Sequence, residues 1–186
     1  MIGYAFCGSF CTFADSYKSL TTLKEKYNDI VPIMSFNAYN TDTRFGTHSE
    51  WIEKIEGLCG RKIINTITDA EPLGPKLALD ALVIAPCTGN TLAKLANGIT
   101  DNPVCMAAKA HLRSDRPLVI ALASNDAMSA NLGNLAKLLI RKNVYFVPMS
   151  QDEPVKKPHS LVADFSLLPE TFNDALNGKQ TRKLFL

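Results

Sequence analysis

Two apolar runs constrain this chain more than any other feature of it. After Asp80, the stretch Ala-Leu-Val-Ile-Ala-Pro-Cys87, and again Pro117-Leu-Val-Ile-Ala-Leu-Ala123, show no polar residue at alternate positions. A strand with one face in water alternates, whereas a strand covered on both faces does not, and that is the condition of a central strand in a parallel sheet. Further apolar runs lie at 2–7, 29–35, 62–67 and 144–148, separated by longer stretches of helical periodicity. Such alternation is the pattern of βα units. The expectation is an α/β fold: a doubly wound, Rossmann-like three-layer sandwich on six parallel strands, at 2–7, 29–35, 62–67, 81–86, 117–123 and 144–148.

Helices are predicted where apolar residues recur at three to four positions. Phe13, Tyr17, Leu20, Leu23 and Tyr27 form one stripe, and Leu92, Leu95, Ala96 and Ile99 another. Thr47-His-Ser-Glu50 has the form of a capping box opening a helix whose Trp51, Ile55 and Leu58 share a face. These stripes read as core and carry no chemistry. Pro169 to Asn177 suits a last helix, with proline in its first turn and Gly178 just past its end. Residues 150–160 hold two prolines among polar residues, which makes them a loop able to serve as a lid, and 179–186 form a tail that frays or docks on a neighbour.

All of this fits one domain spanning 1–186. Lys and Arg total 20 against 18 acidic residues, so a net charge of +2 gives no reason to expect nucleic acid or an anionic membrane as partner. The five cysteines, at 7, 11, 59, 87 and 105, contain no Cys-x-x-Cys pair, which speaks against a zinc site or a disulfide framework. Cys87 lies in a polar turn, but with no histidine beside it a nucleophilic role is not expected. The opening Met1 to Phe6 has the length of a strand and lacks a charged leader, and the cytoplasm is the expected compartment.

Three strand-to-helix junctions carry small polar residues. Gly8-Ser9 follows the first strand, Ser35 ends the second, and Thr88-Gly-Asn-Thr91 follows the buried run that ends near Pro86. Backbone N–H groups and hydroxyls at helix starts favour an anion, and ligands of open α/β sheets sit outside the carboxyl ends of the strands. Each serine has a plain alternative as a turn or N-cap residue. The first turn, Gly8-Ser-Phe-Cys-Thr-Phe13, lacks the second and third glycines of the dinucleotide fingerprint.

The stretch Ala85-Pro-Cys-Thr-Gly-Asn-Thr-Leu-Ala-Lys-Leu-Ala-Asn-Gly-Ile-Thr-Asp-Asn102 resembles the Pro-Ala-Ser-Ala-Asn-Thr motif and the following Ala-Asn-Gly-Ile-x-Asp-Asn of the homo-oligomeric flavin-containing cysteine decarboxylases and their flavoprotein relatives. Their second motif, Pro-x-Met-Asn-x-x-Met-Trp, survives in Leu122-Ala-Ser-Asn-Asp-Ala-Met-Ser129 only as Asn125 and Met128. A fuller resemblance, carried by 74–91, Lys157-Pro-His-Ser-Leu-Val-Ala163 and Ala175-Leu-Asn-Gly-Lys-Gln180, is to the B subunits of a two-component oxidoreductase of spore-forming bacteria that makes pyridine-2,6-dicarboxylate from a hydroxylated tetrahydrodipicolinate.

These resemblances imply an FMN pocket. Gly8, Ser9, Ser35, Thr88 and Thr91 would hold its phosphate end, with Gly89 in the same turn, while Asn90 and Asn125 would meet flavin, and Asn90 the substrate. They also imply homo-oligomers, and an A subunit as partner whose Rossmann domain brings NADP. Where decarboxylating relatives place a catalytic histidine, this chain has Pro72, which argues against cysteine decarboxylation. His48 and His159 remain as acid–base groups, and Lys156, Lys157 and His159 suit a clamp on a dicarboxylate, unless the loop is simply solvated. Two other readings stand beside this one: a lone flavin-dependent decarboxylase or flavin prenyltransferase, and a non-catalytic subunit with a vestigial flavin pocket. No residue is assigned to catalysis.

Overall fold

The computed structural model describes residues 1–74 and 76–186; Pro75, inside the 74–91 stretch, lies outside the described residues. Strands β1 (Ile2–Phe6), β2 (Ile30–Met34), β3 (Ala81–Cys87), β4 (Leu118–Ser124) and β5 (Val144–Phe146) are parallel, in the order β2-β1-β3-β4-β5. Two short strands, β6 (Met149–Ser150) and β7 (Leu161–Ala163), extend the sheet to seven, and β7 runs antiparallel to both β4 and β6. The sheet is thus mostly parallel and doubly wound. Every residue of β3 and β4 is buried, as their unbroken apolar runs demand.

Helices cover both faces. On one, α1 (Phe13–Lys26), α3 (His48–Cys59) and α8 (Leu168–Leu176) supply Phe13, Leu20, Trp51, Ile55 and Phe172 to a cluster with Tyr4, Phe6, Val83 and Val119. On the other, α4 (Ile67–Ala70), α5 (Gly89–Ala96), α6 (Pro103–Leu112) and α7 (Leu132–Leu139) bring Leu92, Val104, Leu135 and Leu138 against Ile33, Leu82, Ile84 and Ile120. Neighbouring residues of one strand therefore belong to different cores, as the period of two requires. The short helix α2 (Phe36–Asn40) follows β2 directly.

Four expectations change. The run 62–67 is no strand: Ile64 makes a single bridge to Ile33, and then Thr66, accepting from Asp69 N–H, caps α4 and turns the chain away. The buried run does not break at Pro86 but continues to Cys87 through a shift of register. Ile99 leaves the α5 stripe, because the helix ends at Ala96 and Gly98, at φ 71°, turns the backbone out; Ile99 is 47% exposed. The tail docks on its own sheet. The Gln180 amide accepts from Phe146 N–H at 2.8 Å and donates to Phe146 O at 2.7 Å, and Leu184 and Leu186 hydrogen-bond to Met149. It covers an edge that would otherwise offer unpaired groups.

Two local readings hold. Thr47 and Glu50 form a reciprocal capping box on α3. The last helix has proline in its first turn and Gly178 past its end at φ 71°. Among the described residues, no helix is long and apolar enough to cross a membrane.

One histidine sits in the core. His111, on α6, is fully buried; its Nε2 bonds Pro117 O at 2.9 Å and its Nδ1 has no partner among the described residues. Burial holds its pKa below the ordinary imidazole value, so the folded chain keeps it neutral where the unfolded chain takes a proton. The unfolded state then binds more protons, and stability is full above about pH 6.5 and declines as pH falls below it. Urea midpoints measured between pH 7.5 and 5 should show that decline, and His111→Gln should flatten it. An equally steep decline in the variant would assign the acid sensitivity to other groups.

Candidate functional site

The sheet order reverses between β1 and β3, whose connections leave to opposite sides, and the crevice at such a switch point is where open α/β sheets bind ligands. Cys7 N–H donates to Pro86 O at 3.1 Å and ties the two strand ends together there. Above them lie two adjoining hollows. The larger, about 810 Å³, lies within the size range of ligand sites and is lined by the turns after β1, β3 and β4 and by residues of the 151–160 loop. The smaller, about 300 Å³, lies toward α2 and the start of α6. Gly8, Thr88 and Asn90 line both.

The expected site residues divide between them. Ser9, Gly89, Asn125, Lys156, Lys157 and His159 line the larger hollow, and Ser35 and Thr91 the smaller. Ser35 is also the N-cap of α2, its Oγ accepting from Ala38 N–H at 3.3 Å, which leaves its own proton for another acceptor. Thr88 caps α5 in the same way, accepting from Thr91 N–H at 3.2 Å. Its hydroxyl donates to Thr91 Oγ1 at 3.1 Å, and Thr91 donates to Cys7 Sγ at 3.3 Å. Both threonine protons therefore point inward, toward a thiol that burial pushes up to about 12. The donors left at this turn are the first N–H groups of α5, at Gly89 and Asn90, and the exposed Asn90 amide.

At the end of β4, the Ser124 hydroxyl donates to the Asp126 carboxylate, and Asn131 Nδ2 donates to it at 2.9 Å. This wall packs on Gly89. A Cβ there would meet Ser124 Oγ, stand 2.6 Å from Asp126 Oδ1 and 2.7 Å from Asn131 Nδ2. Ser124 and Asp126 escaped the sequence reading, although both stand in the degenerate 122–129 motif beside Asn125. Lys94, Asp101 and Asn102 of the smaller hollow escaped it too; the Asp-Asn that ends the 85–102 motif was their signal. Lys94 pairs with Asp101 at 2.8 Å, and Asn102 caps α6.

The 151–160 loop joins β6 to β7, so the antiparallel hairpin hangs it over the larger hollow. Gln151 Nε2 donates to Pro158 O at 2.9 Å, and His159 O accepts from Met128 N–H at 2.9 Å. Lys157 pairs with Asp152 at 2.8 Å; that hydrogen bond raises the lysine and lowers the carboxyl. Lys156 has no carboxylate within ion-pair distance among the described residues and is the cation left for a ligand. His48 lines neither hollow: it is held by Asp42, 2.6 Å from its Nδ1. Of the three phenylalanines that the sequence puts near the ligand edge, Phe10, Phe13 and Phe45, only Phe10 lines a hollow; Phe13 is fully buried in the α1 core and Phe45 lines neither hollow, while Phe36 lines the smaller one.

The comparisons with known proteins point the same way. The family described as Flavoprotein matches residues 14–164. The dipicolinate synthase B subunit of Bacillus subtilis is 46% identical over 185 residues, which cover 100% of this chain and 92% of that protein. The crystal structure of the dipicolinate synthase B subunit from Bacillus halodurans superposes with a TM-score of 0.91 at 42% identity, covering 100% of this chain and 95% of that one. The FMN-dependent cysteine decarboxylase SpaF shares the fold, with a TM-score of 0.68 at 23% identity over 94% of this chain and 95% of that one. The chain therefore belongs to the flavoprotein family, on the branch of the dipicolinate synthase B subunits.

Proposed function

We propose that the chain is the B component of a dipicolinate synthase, acting in the cytoplasm of a sporulating cell. It would hold FMN at the β1/β3 crevice and position a dicarboxylate substrate beneath the 151–160 loop, while an A subunit brings NADP. The observation that carries this reading is the pair of adjoining hollows at the switch point, joined through Gly8, Thr88 and Asn90, in a chain matched over its full length by dipicolinate synthase B subunits.

The residues present fit a flavin mononucleotide. The Ser35 and Ser9 hydroxyls and the free N–H groups at the start of α5 are donors suited to a phosphate. The Asn90 and Asn125 amides supply both donors and acceptors for a ring edge. A bound flavin supplies reversible two-electron oxidation. For the substrate, Lys156 and His159 offer positive charge and a ring N–H to carboxylates. Homo-oligomerisation belongs to the same proposal, with Phe36, which lines the smaller hollow, and Phe45, each 42% exposed, as apolar contacts.

Titrating the purified chain with FMN, followed by flavin fluorescence, tests the pocket. Saturable binding at one flavin per chain is expected. The Asn90 side chain makes no hydrogen bond among the described residues and is exposed, so Asn90→Ala should leave the melting temperature in place. Affinity for FMN or for the dicarboxylate should fall by about two- to tenfold, the worth of one directed hydrogen bond. A large loss of thermal stability with affinity intact would make Asn90 a structural residue.

A further inference from the structure

A third hollow, of about 300 Å³, opens where the ends of α5 and α6 meet the turn after α7, away from the turns that follow β1 and β4. Its walls include Lys109, Arg113 and Arg141, and no carboxylate lines it. Leu95, Ile99 and Leu112 give it an apolar part, and Ile99 leaves nearly half its surface to solvent there.

Helix dipoles explain part of this arrangement. Arg113 caps the C-terminus of α6 and Arg141 follows the C-cap of α7, where cations are favoured. The dipole does not explain why three cations converge on one concave, partly apolar surface. Lys109 and Arg113 stand one turn apart on α6, a spacing at which like charges repel. Other cations are answered: Lys142 pairs with Asp115 at 3.3 Å, and Lys94, which lines both this hollow and the smaller one at the switch point, pairs with Asp101 at 2.8 Å. Among the described residues, Lys109, Arg113 and Arg141 have no carboxylate within 4.0 Å. A solvated charged face needs neither the concavity nor the exposed isoleucine; a ligand with two negative ends and an apolar body uses both.

We propose that this hollow binds a small planar dicarboxylate, with Arg113 and Arg141 taking its carboxylates and Ile99 and Leu112 its ring. Guanidinium forks match carboxylates two bonds at a time, which suits two rigid, separated anionic groups better than a single compact one. Resting on the function proposed above, the natural occupant is the pyridine-2,6-dicarboxylate product, held at a site separate from the one under the 151–160 loop.

The test is calorimetric titration of the full chain, at low salt and pH 7.5, with pyridine-2,6-dicarboxylate, isophthalate and inorganic phosphate in turn. Isophthalate has the same carboxylate spacing without the ring nitrogen and is not a reactant, so its binding tests the hollow even if the chain makes no pyridine product. Both dicarboxylates should bind, with phosphate weaker by about tenfold or more. In a Lys156→Ala, His159→Ala background, which removes the cations under the 151–160 loop, isophthalate should still bind, and adding Arg113→Ala and Arg141→Ala, both exposed, should weaken it by about tenfold or more at an unchanged melting temperature. Isophthalate binding in that background that survives the two arginine substitutions, or phosphate binding there as tightly as the dicarboxylates, overturns the proposal, and so does the absence of any isophthalate binding there.

Discussion

Replacing Gly89 by alanine is expected to lower flavin affinity by about ten- to a hundredfold, the equivalent of roughly 1–3 kcal/mol of overpacking delivered at the binding wall. Gly89 opens α5 at the switch point, and its missing side chain is the space into which Ser124, Asp126 and Asn131 pack. Those three groups are not free ends that can swing aside independently. The Asp126 carboxylate accepts from both of the others, and Asn131 accepts in turn from Asn134 at 2.9 Å. A methyl group must therefore either push α5 away from β4 or break the network, and both outcomes reshape the larger hollow. Gly133→Ala is the control. It lies inside α7 with no heavy atom within 4 Å of where a Cβ would sit, and alanine is the better helix former by roughly 0.5–1 kcal/mol. Flavin titration and urea unfolding of both variants should show opposite signs: weaker binding and lower stability at 89, unchanged binding and equal or higher stability at 133. Wild-type behaviour of Gly89→Ala in both assays would show that the wall yields freely and that the glycine is not required.

How far the amino-acid sequence foretold this arrangement depended on where each signal is stored. The central strands were legible because burial on both faces writes itself into consecutive residues, and β3 and β4 lie where their apolar runs end. The run 62–67 has the same local look, yet Thr66 ends it by capping α4, so only one rung forms. Two of the three short strands at the far side, β6 and β7, were not legible at all. Their pairing partners lie in β4 and in one another across a polar loop, and nothing local marks them. At the site, the turn residues stood out because small polar residues gather at three strand-to-helix junctions, although Ser35 and Thr88 also serve there as N-caps. Their grouping did not stand out: Ser35 and Ser9 look equivalent in sequence, but α2 turns one toward the smaller hollow and the 3-10 turn after β1 puts the other in the larger. Asp126 was missed because its importance comes from Gly89, which is 37 positions earlier in the chain and adjacent only after folding.

Supplied with a hydroxylated tetrahydrodipicolinate and NADP, this chain alone is expected to form no pyridine-2,6-dicarboxylate, and to support turnover only when mixed with an A subunit. The chemistry sets the requirement. Going from the hydroxylated tetrahydro ring to the aromatic product removes one water and two electrons with their protons, so each turnover needs an acceptor for a hydride equivalent. NADP can accept it only from a site that approaches its pyrophosphate closely, and three glycines in the first βα turn are what permit that approach. Here the turn reads Gly8-Ser-Phe-Cys-Thr-Phe13, and the half-buried Phe10, its ring tilted against that of Phe13 at 5.1 Å, stands in the turn where the fingerprint keeps the backbone bare. On the function proposed above, the dinucleotide would come on another subunit. What this chain brings is the two-part crevice, the Asp126 wall and Lys156 with His159 on the overhanging loop, which together suit holding a dicarboxylate and a mononucleotide. Three parallel reactions decide the matter, with the chain alone, the A subunit alone and both, followed by product absorbance and NADPH formation. Product from both and from neither alone is the expected result. Sustained turnover by this chain alone would mean that it carries its own hydride acceptor site, and equal turnover by the A subunit alone would remove it from the catalytic unit.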